Sequence, residues 1–588
     1  MRVFLVNPAC LDVRITDEDA MAVPIGLFYI GAYLKKNGFD VDIVNLAPLS
    51  EPVSSLMKLV EKDKPDIVAF SVLHANRHCA MESASAVKKL NPETVTVFGG
   101  PGATFSPYLF LKECPALDYI VKGEGEETFL ELVRYLDTAS NEQNDEQNDE
   151  QNNEQNREHR AEYSIKGLFF RKSLPDSTID DSFQMIETLS RPLIADLDNL
   201  PHPAEFFDFH HLSLSRGCPG QCNFCGSPAF WGKGRVRFHS VKWFVDEIEL
   251  LVKRGRTHFF ISDDTFTMSK KRVLELCHEI TSRKLFITWQ AISRVDFLDS
   301  KMLYEMRMAG CIQISFGVES GSEKIRKTLG KPFKNEKIIK AFRDTAAHGI
   351  MPRAYFIYGS PGETKKTIKQ SIDLIEKIRP LAMISYILVL FPGTALYDKA
   401  VDKKIVPLDS WIKKCEDIPW FEVDPLLDFH QVKEFGKRLR KGFYSKLHQF
   451  VRKIELLDDE RLFPFHADFL SRLAMTFSHG EYANHPDVLH PEKTAEFLYE
   501  KALGYAPDTR AFLGLAMLMQ KRRDFPGAVS LLKDGLGYFH DDRKLNICMA
   551  ISLMNMGHFR EALSYLEPFA GFEEVIPYIN ACLERLSV

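Results

Sequence analysis

Three closely spaced cysteines are the residues of this sequence whose type and spacing point most directly to chemistry. Cys218, Cys222 and Cys225 follow a short apolar run that begins at Leu212. Cysteine thiolates bind iron-sulfur clusters, and this short spacing lets one loop hold three corners of a cubane. The fourth iron would then have no protein ligand and could bind a small molecule. The spacing therefore predicts a catalytic cluster more than one that only transfers electrons.

Two other uses of these cysteines, a zinc site and disulfide bonds, agree less well with the sequence. His239 could complete a tetrahedral zinc site, but no second close cysteine pair accompanies the three. A disulfide framework is disfavoured because the 11 cysteines are odd in number and scattered, and no signal peptide is recognised. We therefore expect a protein of the reducing cytoplasm.

The composition indicates a multidomain globular protein. Its 588 residues predict about three or four domains. The net charge of -6 gives no electrostatic case for nucleic acid as a partner. No uninterrupted apolar run approaches the roughly 18 to 20 residues that span a bilayer. No transmembrane segment is expected, and a lipid substrate stays open.

Residues 1–138 alternate short apolar runs with amphipathic helical patterns, which predicts a doubly wound, Rossmann-like parallel sheet. Ligands of such sheets bind beyond the carboxyl ends of the strands, where glycine-rich loops let backbone approach closely. The expected strands are Val3–Val6, Val41–Leu46, Ile67–Val72, Val95–Phe98 and Tyr119–Val121. The candidate binding residues at the strand ends are Ser71, Leu73, His74, Gly99, Gly100, Gly123 and Glu124.

The sequence Ser71-Val72-Leu73, followed after 25 residues by Gly99-Gly100, resembles the Ser-x-Leu and Gly-Gly elements of cobalamin-binding domains. The resemblance implies that these loops bind cobalamin, with its nucleotide tail threaded into the edge of the sheet. Such domains often carry Asp-x-His-x-x-Gly, whose histidine ligates cobalt, but here the corresponding segment is 24–29, Pro-Ile-Gly-Leu-Phe-Tyr. This pattern resembles the cobalamin domains that are fused to radical enzymes.

Two alternatives remain at these loops. We expect His74 or Asn76 to face the cobalt, whereas an ordinary loop histidine would only be hydrogen-bonded to backbone. The glycine loops, taken alone, would also suit tight turns without ligand, or a mononucleotide or flavin site.

Residues 139–161 repeat Glu-Gln every four residues with no apolar member in the repeat, which predicts a disordered linker. Residues 162–209 are interpreted as a connector in which Ile165–Phe170 could form a strand.

Residues 210–410 contain six apolar runs separated by amphipathic helical patterns, which predicts a partial (β/α)6 barrel of the TIM type with its chemistry at the carboxyl ends of the strands. The runs are 212–215, 258–262, 286–291, 312–318, 354–358 and 383–390, and the clearest helices are Val241–Val252, Lys271–Ile280, Lys301–Met308 and Thr364–Ile378.

The Cys-x3-Cys-x2-Cys motif after the first strand of such a barrel resembles the radical S-adenosylmethionine (SAM) superfamily. The resemblance implies that Cys218, Cys222 and Cys225 bind a 4Fe-4S cluster whose open iron is chelated by SAM, so that reduction releases a 5'-deoxyadenosyl radical. It also assigns SAM contacts. Phe224 and the segment that begins at Gly359 would contact the adenine, Glu319 and Lys331 would hold the ribose and the methionine carboxylate, and Asp263 would bind the methionine amino group. Asp264 and Glu363 neighbour two of these positions, and surface salt bridges are the alternative for Glu319 and Lys331.

Beyond residue 410 the pattern becomes helical. Residues 411–490 are interpreted as a helical extension, and 491–588 repeat small residues with a period near 34, which resembles tetratricopeptide repeats. A plain helical bundle is the alternative. If the repeats form, a protein partner could bind them.

The two resemblances together imply a cobalamin-dependent radical SAM methyltransferase that acts on an unactivated carbon or phosphorus centre through methylcobalamin. One alternative is a radical SAM cyclase or oxidative rearrangement enzyme without methyl transfer, and another is a helical-repeat interaction protein with a vestigial enzyme core. We expect a small-molecule or lipid substrate and an external electron donor such as flavodoxin or ferredoxin.

Overall fold

The computed structural model of the chain describes residues 1–10, 21–145, 161–173, 183–413 and 419–587. These residues form two compact units. The first unit contains Met1–Phe266, Lys327–Lys331 and Leu388–Asp428, and the second contains Thr267–Arg326, Pro332–Ile387 and Phe429–Val588.

A seven-stranded sheet forms the centre of the amino-terminal part of the first unit, in the order β2-β1-β3-β4-β5-β6-β7. Its first five strands are parallel and the last two antiparallel. The five strands expected from the sequence are therefore confirmed. The strands are β1 Arg2–Asn7, β2 Asp40–Asn45, β3 Ile67–Ser71, β4 Val95–Gly99, β5 Tyr119–Val121, β6 Leu168–Ser173 and β7 Phe183–Glu187.

Helices connect the parallel strands and bury their apolar faces against the sheet, which is why the central strands are continuous apolar runs. In β3, every residue from Ile67 to Phe70 is buried. The helices are α1 Ile25–Lys36, α2 Pro52–Asp63, α3 Arg77–Leu90, α4 Gly100–Phe105, α5 Pro107–Glu113 and α6 Glu126–Asp145.

The segment 162–209 is more than the connector that we expected, because it adds β6 and β7 to the sheet. β6 pairs with β5, and its apolar residues Leu168, Phe169 and Phe170 are all buried. Burial on both faces gives these residues a reason to join the sheet. In the adjacent repeat, α6 continues to Asp145, and 146–160 lie outside the described residues.

The cysteine loop also belongs to the first unit. The run expected at 212–215 is divided into β8 His211–Leu212 and β9 Ser215–Arg216. β8 pairs in parallel with β11, whereas β9 pairs antiparallel with β10. The remaining elements are α7 Ser227–Trp231, β10 Arg237–Phe238, α8 Val241–Lys253, β11 His258–Ile261 and α14 Ala395–Asp402.

Four parallel strands, in the order β12-β13-β14-β15, and their connecting helices form the first part of the second unit. The expected helices begin where side chains cap them, as at Asp299 and Thr364. The elements are α9 Lys270–Ser282, β12 Thr288–Ser293, α10 Ser300–Met308, β13 Cys311–Glu319, α11 Glu323–Thr328, α12 Asn335–Ala347, β14 Met351–Tyr358, α13 Lys365–Ile378 and β15 Ala382–Ile387. Within the described ranges the ladders close no barrel, in agreement with the expected partial one.

Helices make up the rest of the second unit, as expected. Those of the 491–588 region begin at Pro491, Phe525 and Phe559, and the first residues of successive helices in this series are 34 apart. Ala495, Ala528 and Ala562 are fully buried. The period agrees with the expected one, and its tetratricopeptide identity stays a prediction. The helices are α15 Phe429–Tyr444, α16 Leu447–Arg452, α17 Phe463–Ser478, α18 Pro491–Leu503, α19 Thr509–Lys521, α20 Phe525–Tyr538, α21 Arg543–Asn555, α22 Phe559–Leu566 and α23 Ile576–Leu586.

Throughout the described ranges, every helix is too short or too polar to cross a bilayer.

Candidate active site and cofactor sites

The three cysteines lie between β9 and α7, on a loop that is hydrogen-bonded near both ends. The sulfur of Cys218 is 3.3 Å from the hydroxyl oxygen of Thr265 and accepts from the Gly220 amide at 3.3 Å. The Cys225 amide donates to the Cys222 carbonyl at 3.2 Å. All three cysteines are partly exposed residues.

Two segments that are distant in sequence hold the backbone of this loop. The Asn223 amide donates to the Leu329 carbonyl at 3.0 Å, and the Leu396 amide donates to the Asn223 carbonyl at 2.9 Å. Gly330 has a φ of +78°, and a Cβ there would lie 2.8 Å from the Gln221 carbonyl oxygen. Sequence reasoning missed these contacts, for which the glycine at 330 was the only local signal.

The donor set fits an iron-sulfur cluster. Burial raises the pKa of the Cys225 thiol to about 11, so its thiolate needs a nearby metal cation for stabilisation. Among the described residues, no three His, Cys, Asp or Glu side chains form a ready-made site for a single metal ion. A cubane does not require such a site, because its cysteines ligate different irons.

His239, the fourth ligand of the alternative zinc site, is committed elsewhere. Its Nδ1 lies 3.3 Å from an Asp198 carboxylate oxygen and its Nε2 lies 3.2 Å from the Tyr29 hydroxyl. Burial and then the charge of Arg216 lower the pKa of His239 to about 3, although Asp198 opposes them. This histidine is therefore a buried, neutral packing residue, and the zinc alternative loses its fourth ligand.

The two aspartates after β11 differ in their surroundings. Asp263 is buried, where it accepts from the Leu214 amide at 2.7 Å and the Ser215 hydroxyl at 2.5 Å. These bonds divide β8 from β9. Burial raises the pKa of Asp263 to about 7. Asp264 has an exposed side chain that accepts from the Ser227 hydroxyl at 2.7 Å, two residues after Cys225.

Two further SAM candidates lie in the first unit. Phe224 is partly buried on the cysteine loop itself. Lys331 is 7% exposed and follows Gly330, whose backbone packs against that loop. Both are therefore near the three cysteines.

The remaining SAM candidates lie in the second unit. Glu319 is the last residue of β13, and Gly359 directly follows β14. Glu319 is 5% exposed and has a φ of +63°, a conformation that non-glycine residues rarely adopt and that often marks a functional position. The amide of Gly359 donates to Glu363 at 2.6 Å. Burial raises the pKa of Glu363 to about 7 against the hydrogen bonds from Gly359 and Ser360.

A cavity of about 280 Å³ lies in the first unit, at the carboxyl ends of the parallel strands. It contacts the beginnings of α1 and α4, the last residues of β3 and β4 and the loop after β5, and its lining includes Ser71, Gly99, Gly100, Gly123 and Glu124. The same cavity reaches Arg216 and Gly217, which directly precede Cys218. Five sequence-predicted cobalamin residues and the start of the cysteine loop therefore line one space.

This cavity suits a cofactor tail. Its walls are mostly apolar, from residues such as Leu5, Ala69 and Val97. Gly123 has a φ of +75°, and a Cβ there would meet nothing within 4 Å. Gly100 has a φ of +89°, and a Cβ there would lie 3.0 Å from the Val72 carbonyl. Backbone therefore forms part of the wall, as the expected cobalamin site requires.

Leu73, His74 and Asn76 are outside this lining among the described residues. His74 is buried, with Nε2 3.3 Å from the Ser106 hydroxyl and its ring edge-on to Trp411 at 5.2 Å. Burial and then the charge of Arg77 lower the pKa of His74 to about 3. Asn76 accepts from the Leu73 amide at 2.8 Å. His74 therefore bonds to a side chain where the alternative expected a backbone partner, and contact of His74 or Asn76 with cobalt stays a prediction. Leu73 is 41% exposed.

Two family models match the chain. Residues 19–133 match the B12 binding domain, and residues 212–375 match the radical SAM superfamily. The first match contains the glycine-lined loops of the cavity, and the second begins just before the cysteine loop.

Two curated relatives carry different activities in their names. An uncharacterized methyltransferase of Pyrococcus horikoshii is 28% identical over 486 residues, which are 80% of this chain and 97% of the relative. The anaerobic magnesium-protoporphyrin IX monomethyl ester cyclase of Rubrivivax gelatinosus is 28% identical over 397 residues, which are 65% of this chain and 66% of the cyclase.

A solved structure shares the fold. The radical SAM methyltransferase TsrM from Kitasatospora setae, with cobalamin and a [4Fe-4S] cluster bound, matches with a TM-score of 0.59 and 16% identity. The match covers 86% of this chain and 99% of that chain.

Proposed function

Because the chain joins a B12 binding domain to a radical SAM domain, and so belongs to the cobalamin-binding radical SAM enzymes, we propose that it transfers a methyl group to an unactivated carbon or phosphorus centre. The observation that carries this proposal is the cavity that both the glycine loops and the residues directly before Cys218 line. The name of the Pyrococcus horikoshii relative supports methyl transfer over other radical reactions.

In this proposal Cys218, Cys222 and Cys225 ligate the 4Fe-4S cluster, and the first unit supplies several SAM contacts. We assign the contact with the methionine part to Asp264 in place of Asp263, because both oxygens of Asp263 are engaged by Leu214 and Ser215. Lys331, as a buried ammonium next to the loop, suits the SAM carboxylate. Phe224, Glu319 and Gly359 keep the adenine and ribose roles that the resemblance implies.

For cobalamin, Ser71, Gly99, Gly100 and Gly123 surround the tail, since they line the cavity with little or no side chain. We assign Glu124 to an ion pair at the wall, because Arg216 and Arg237 both donate to it. Leu73 is the exposed residue of the loop after β3. His74, on the same loop, is buried against Ser106 and Trp411.

When bound, the two cofactors supply hydrogen abstraction and methyl donation. The chain itself binds them, shields them from water and orients the substrate. Hydrogen abstraction by a radical needs no protein base, so the proposal does not require Asp263 or Glu363 to transfer a proton.

The test follows the two fates of SAM. A methyltransferase of this kind converts one SAM to S-adenosylhomocysteine and another to 5'-deoxyadenosine. We expect anaerobically reconstituted, reduced enzyme loaded with hydroxocobalamin to form S-adenosylhomocysteine, and a corrin-free preparation to form none. The Cys218, Cys222 and Cys225 triple alanine variant should retain no more iron than adventitious binding provides.

The alternative reaction without methyl transfer is favoured by the cyclase name of the second relative. It would give 5'-deoxyadenosine without S-adenosylhomocysteine, and a product that lacks the added mass of one carbon and two hydrogens. That result would contradict our proposal. The vestigial interaction protein is set aside, because the cysteine loop and the cavity are both intact.

We also propose a reducing, cytoplasmic setting and a flavodoxin- or ferredoxin-like electron donor. The described cysteines form no disulfide bond with one another, which supports this setting. The substrate is proposed to be a small molecule or lipid, and the helical repeats a surface for a protein partner.

A further inference from the structure

A buried network of ion pairs joins the loop after β5 to the residue two positions before Cys218. Arg216 donates through Nη1 to Glu124 at 2.7 Å and through Nη2 to Glu126 at 2.6 Å. Arg237 donates to both oxygens of Glu124, at 2.9 Å each. Two guanidinium groups thus neutralise two carboxylates, which allows all four to be buried together.

Arg216 contacts a second wall of the same cavity. Its guanidinium lies 4.9 Å from the centroid of the Tyr29 ring, on α1. The Arg216 side chain is 10% exposed, and those of Glu124 and Glu126 are 4% exposed. Tyr29, Glu124, Glu126 and Arg216 all line the cavity. Arg216, on β9, therefore contacts both α1 and the loop after β5, which together enclose the proposed site of the cobalamin tail.

The single residue between Arg216 and Cys218 has a restricted position. Gly217, the only residue between them, has a φ of +104°, and a Cβ there would lie 2.2 Å from the Arg235 carbonyl oxygen. Beyond it, the Cys218 sulfur is fixed by Thr265 and Gly220. Arg216 and Cys218 are therefore joined by one residue whose position the Arg235 carbonyl restricts.

We propose that Arg216 is a positioning residue that couples the two cofactor sites, so that cobalamin in the cavity stabilises the cluster loop and an intact cluster tightens cobalamin binding. Such a coupling must be reciprocal, because it is a single free energy shared by two binding events. The inference rests on the cofactor sites of the proposed function and does not depend on methyl transfer.

The experiment measures the dissociation constant of hydroxocobalamin by absorbance, for cluster-loaded protein and for the same protein after chelator has removed the iron. For the wild type we expect binding to weaken by roughly five-fold or more when the cluster is removed, the lower end of allosteric couplings. Arg216→Lys keeps the charge but loses the planar fork that binds two carboxylates at once. In this variant the two dissociation constants should agree within about two-fold.

Arg191→Lys is the matched control. Arg191 also bridges two carboxylates of α6, Glu127 and Glu131, but these contacts do not include the cysteine loop. This variant should keep the wild-type difference. Glu126→Gln provides a second test of the network if Arg216→Lys folds poorly, and it should also reduce the difference.

The reciprocal measurement is the rate at which chelator removes iron, with and without hydroxocobalamin. Cobalamin should slow iron loss in the wild type and have little effect in Arg216→Lys. Equal corrin affinity with and without the cluster in the wild type, or an unchanged difference in Arg216→Lys, would overturn the coupling while leaving methyl transfer intact. Absence of any corrin binding would overturn the coupling and the proposed function together.

Discussion

His74 illustrates how burial decides the role of a single side chain. The sequence places it on the loop that the cobalamin resemblance puts under the corrin, but its imidazole bonds to Ser106 and packs against Trp411. A buried neutral histidine that already has a polar partner is poorly placed to ligate cobalt.

We therefore expect His74→Ala to leave the absorbance spectrum of bound hydroxocobalamin unchanged, while lowering stability by about 1 to 3 kcal/mol through the lost packing and the unpaired Ser106 hydroxyl. The measurement is the visible spectrum of the corrin bound to each protein. Free imidazole added to the wild type is the positive control for a nitrogen ligand. A spectral shift caused by His74→Ala alone would show that His74 does contact the cobalt.

Glu363 predicts a pH dependence of stability. Its Oε1 is buried without a hydrogen-bond partner among the described residues, and burial raises its pKa from 4.5 to about 7. Between these two values the folded protein keeps the proton and the unfolded chain loses it. The contribution of Glu363 to the free energy of unfolding is therefore complete below the pKa of the unfolded chain. It falls by about 1.4 kcal/mol per pH unit between the two pKa values and is lost as pH rises through the pKa of the folded protein.

Glu363→Gln keeps the shape of the neutral acid and should remove this dependence. We expect the melting temperature of the wild type, relative to the variant, to fall between about pH 5 and pH 7 and to level off above that range. Differential scanning calorimetry of both proteins across this pH range is the measurement. Parallel curves for the two proteins would show that Glu363 is already ionised in the folded state.

At the scale of elements, the cysteine loop is positioned by segments that lie far from it in sequence. Leu329 and Leu396 hold its backbone through hydrogen bonds with Asn223, and Gly330 packs against Gln221. Asp263 divides the strand before the loop into β8 and β9. A thiolate triad on a short loop needs such support, because a displaced ligand weakens a metal site sharply.

Gly330→Ala should therefore reduce iron content by half or more. Its φ of +78° costs an L-residue about 1 to 2 kcal/mol, and the new Cβ would collide with the Gln221 carbonyl 2.8 Å away. Iron per chain after anaerobic reconstitution is the measurement.

Gly255→Ala is the matched control, since Gly255 has a φ of +91° with nothing within 4 Å of a Cβ. It carries the same backbone strain away from the loop and should keep its iron. Equal iron loss in both variants would mean that strain in general, and not the contact with Gln221, disturbs the cluster.

At the scale of the whole molecule, a buried arginine of the second unit joins the region of strands β12 to β15 to the carboxyl-terminal helices. Arg307, on α10, donates to the Phe465 carbonyl at 2.6 Å, to Asp468 at 2.7 Å and to the Cys311 carbonyl at 3.1 Å. Its side chain is 2% exposed. The helical region is thus held to the strand region by polar contacts that water cannot replace.

We expect Arg307→Met to destabilise the second unit by about 1 to 3 kcal/mol, because it leaves the Phe465 and Cys311 carbonyls without this donor, while Asp468 keeps its ion pairs with Arg472 and Arg510. Arg343→Met is the control, since Arg343 forms an exposed ion pair with Asp344, and such pairs contribute about 0 to 1 kcal/mol. Thermal denaturation of each variant is the measurement. Similar melting temperatures for the two variants would contradict this role for Arg307.

Several features could be predicted because they depend on local pattern. The strands β1 to β5, the helices between the later strands and the 34-residue period all follow from apolar periodicity, which burial imposes directly on the sequence. The cysteine spacing is likewise a local pattern, and it predicted an iron-sulfur cluster. The strand β6 was only partly recognised and β7 was not, because these strands are stabilised by pairing with distant segments, β6 with β5 and β7 with β6.

The sequence by itself determined which cofactors this protein is built for, because thiolate spacing and glycine at strand ends are local requirements of cluster and cobalamin binding. Only the tertiary structure decided which polar residues face those sites. It buried Asp263 and His74, left Asp264 exposed and engaged Glu124 with Arg216. The physical reason is that desolvation and pairing depend on neighbours brought together from distant parts of the chain, which no local pattern records.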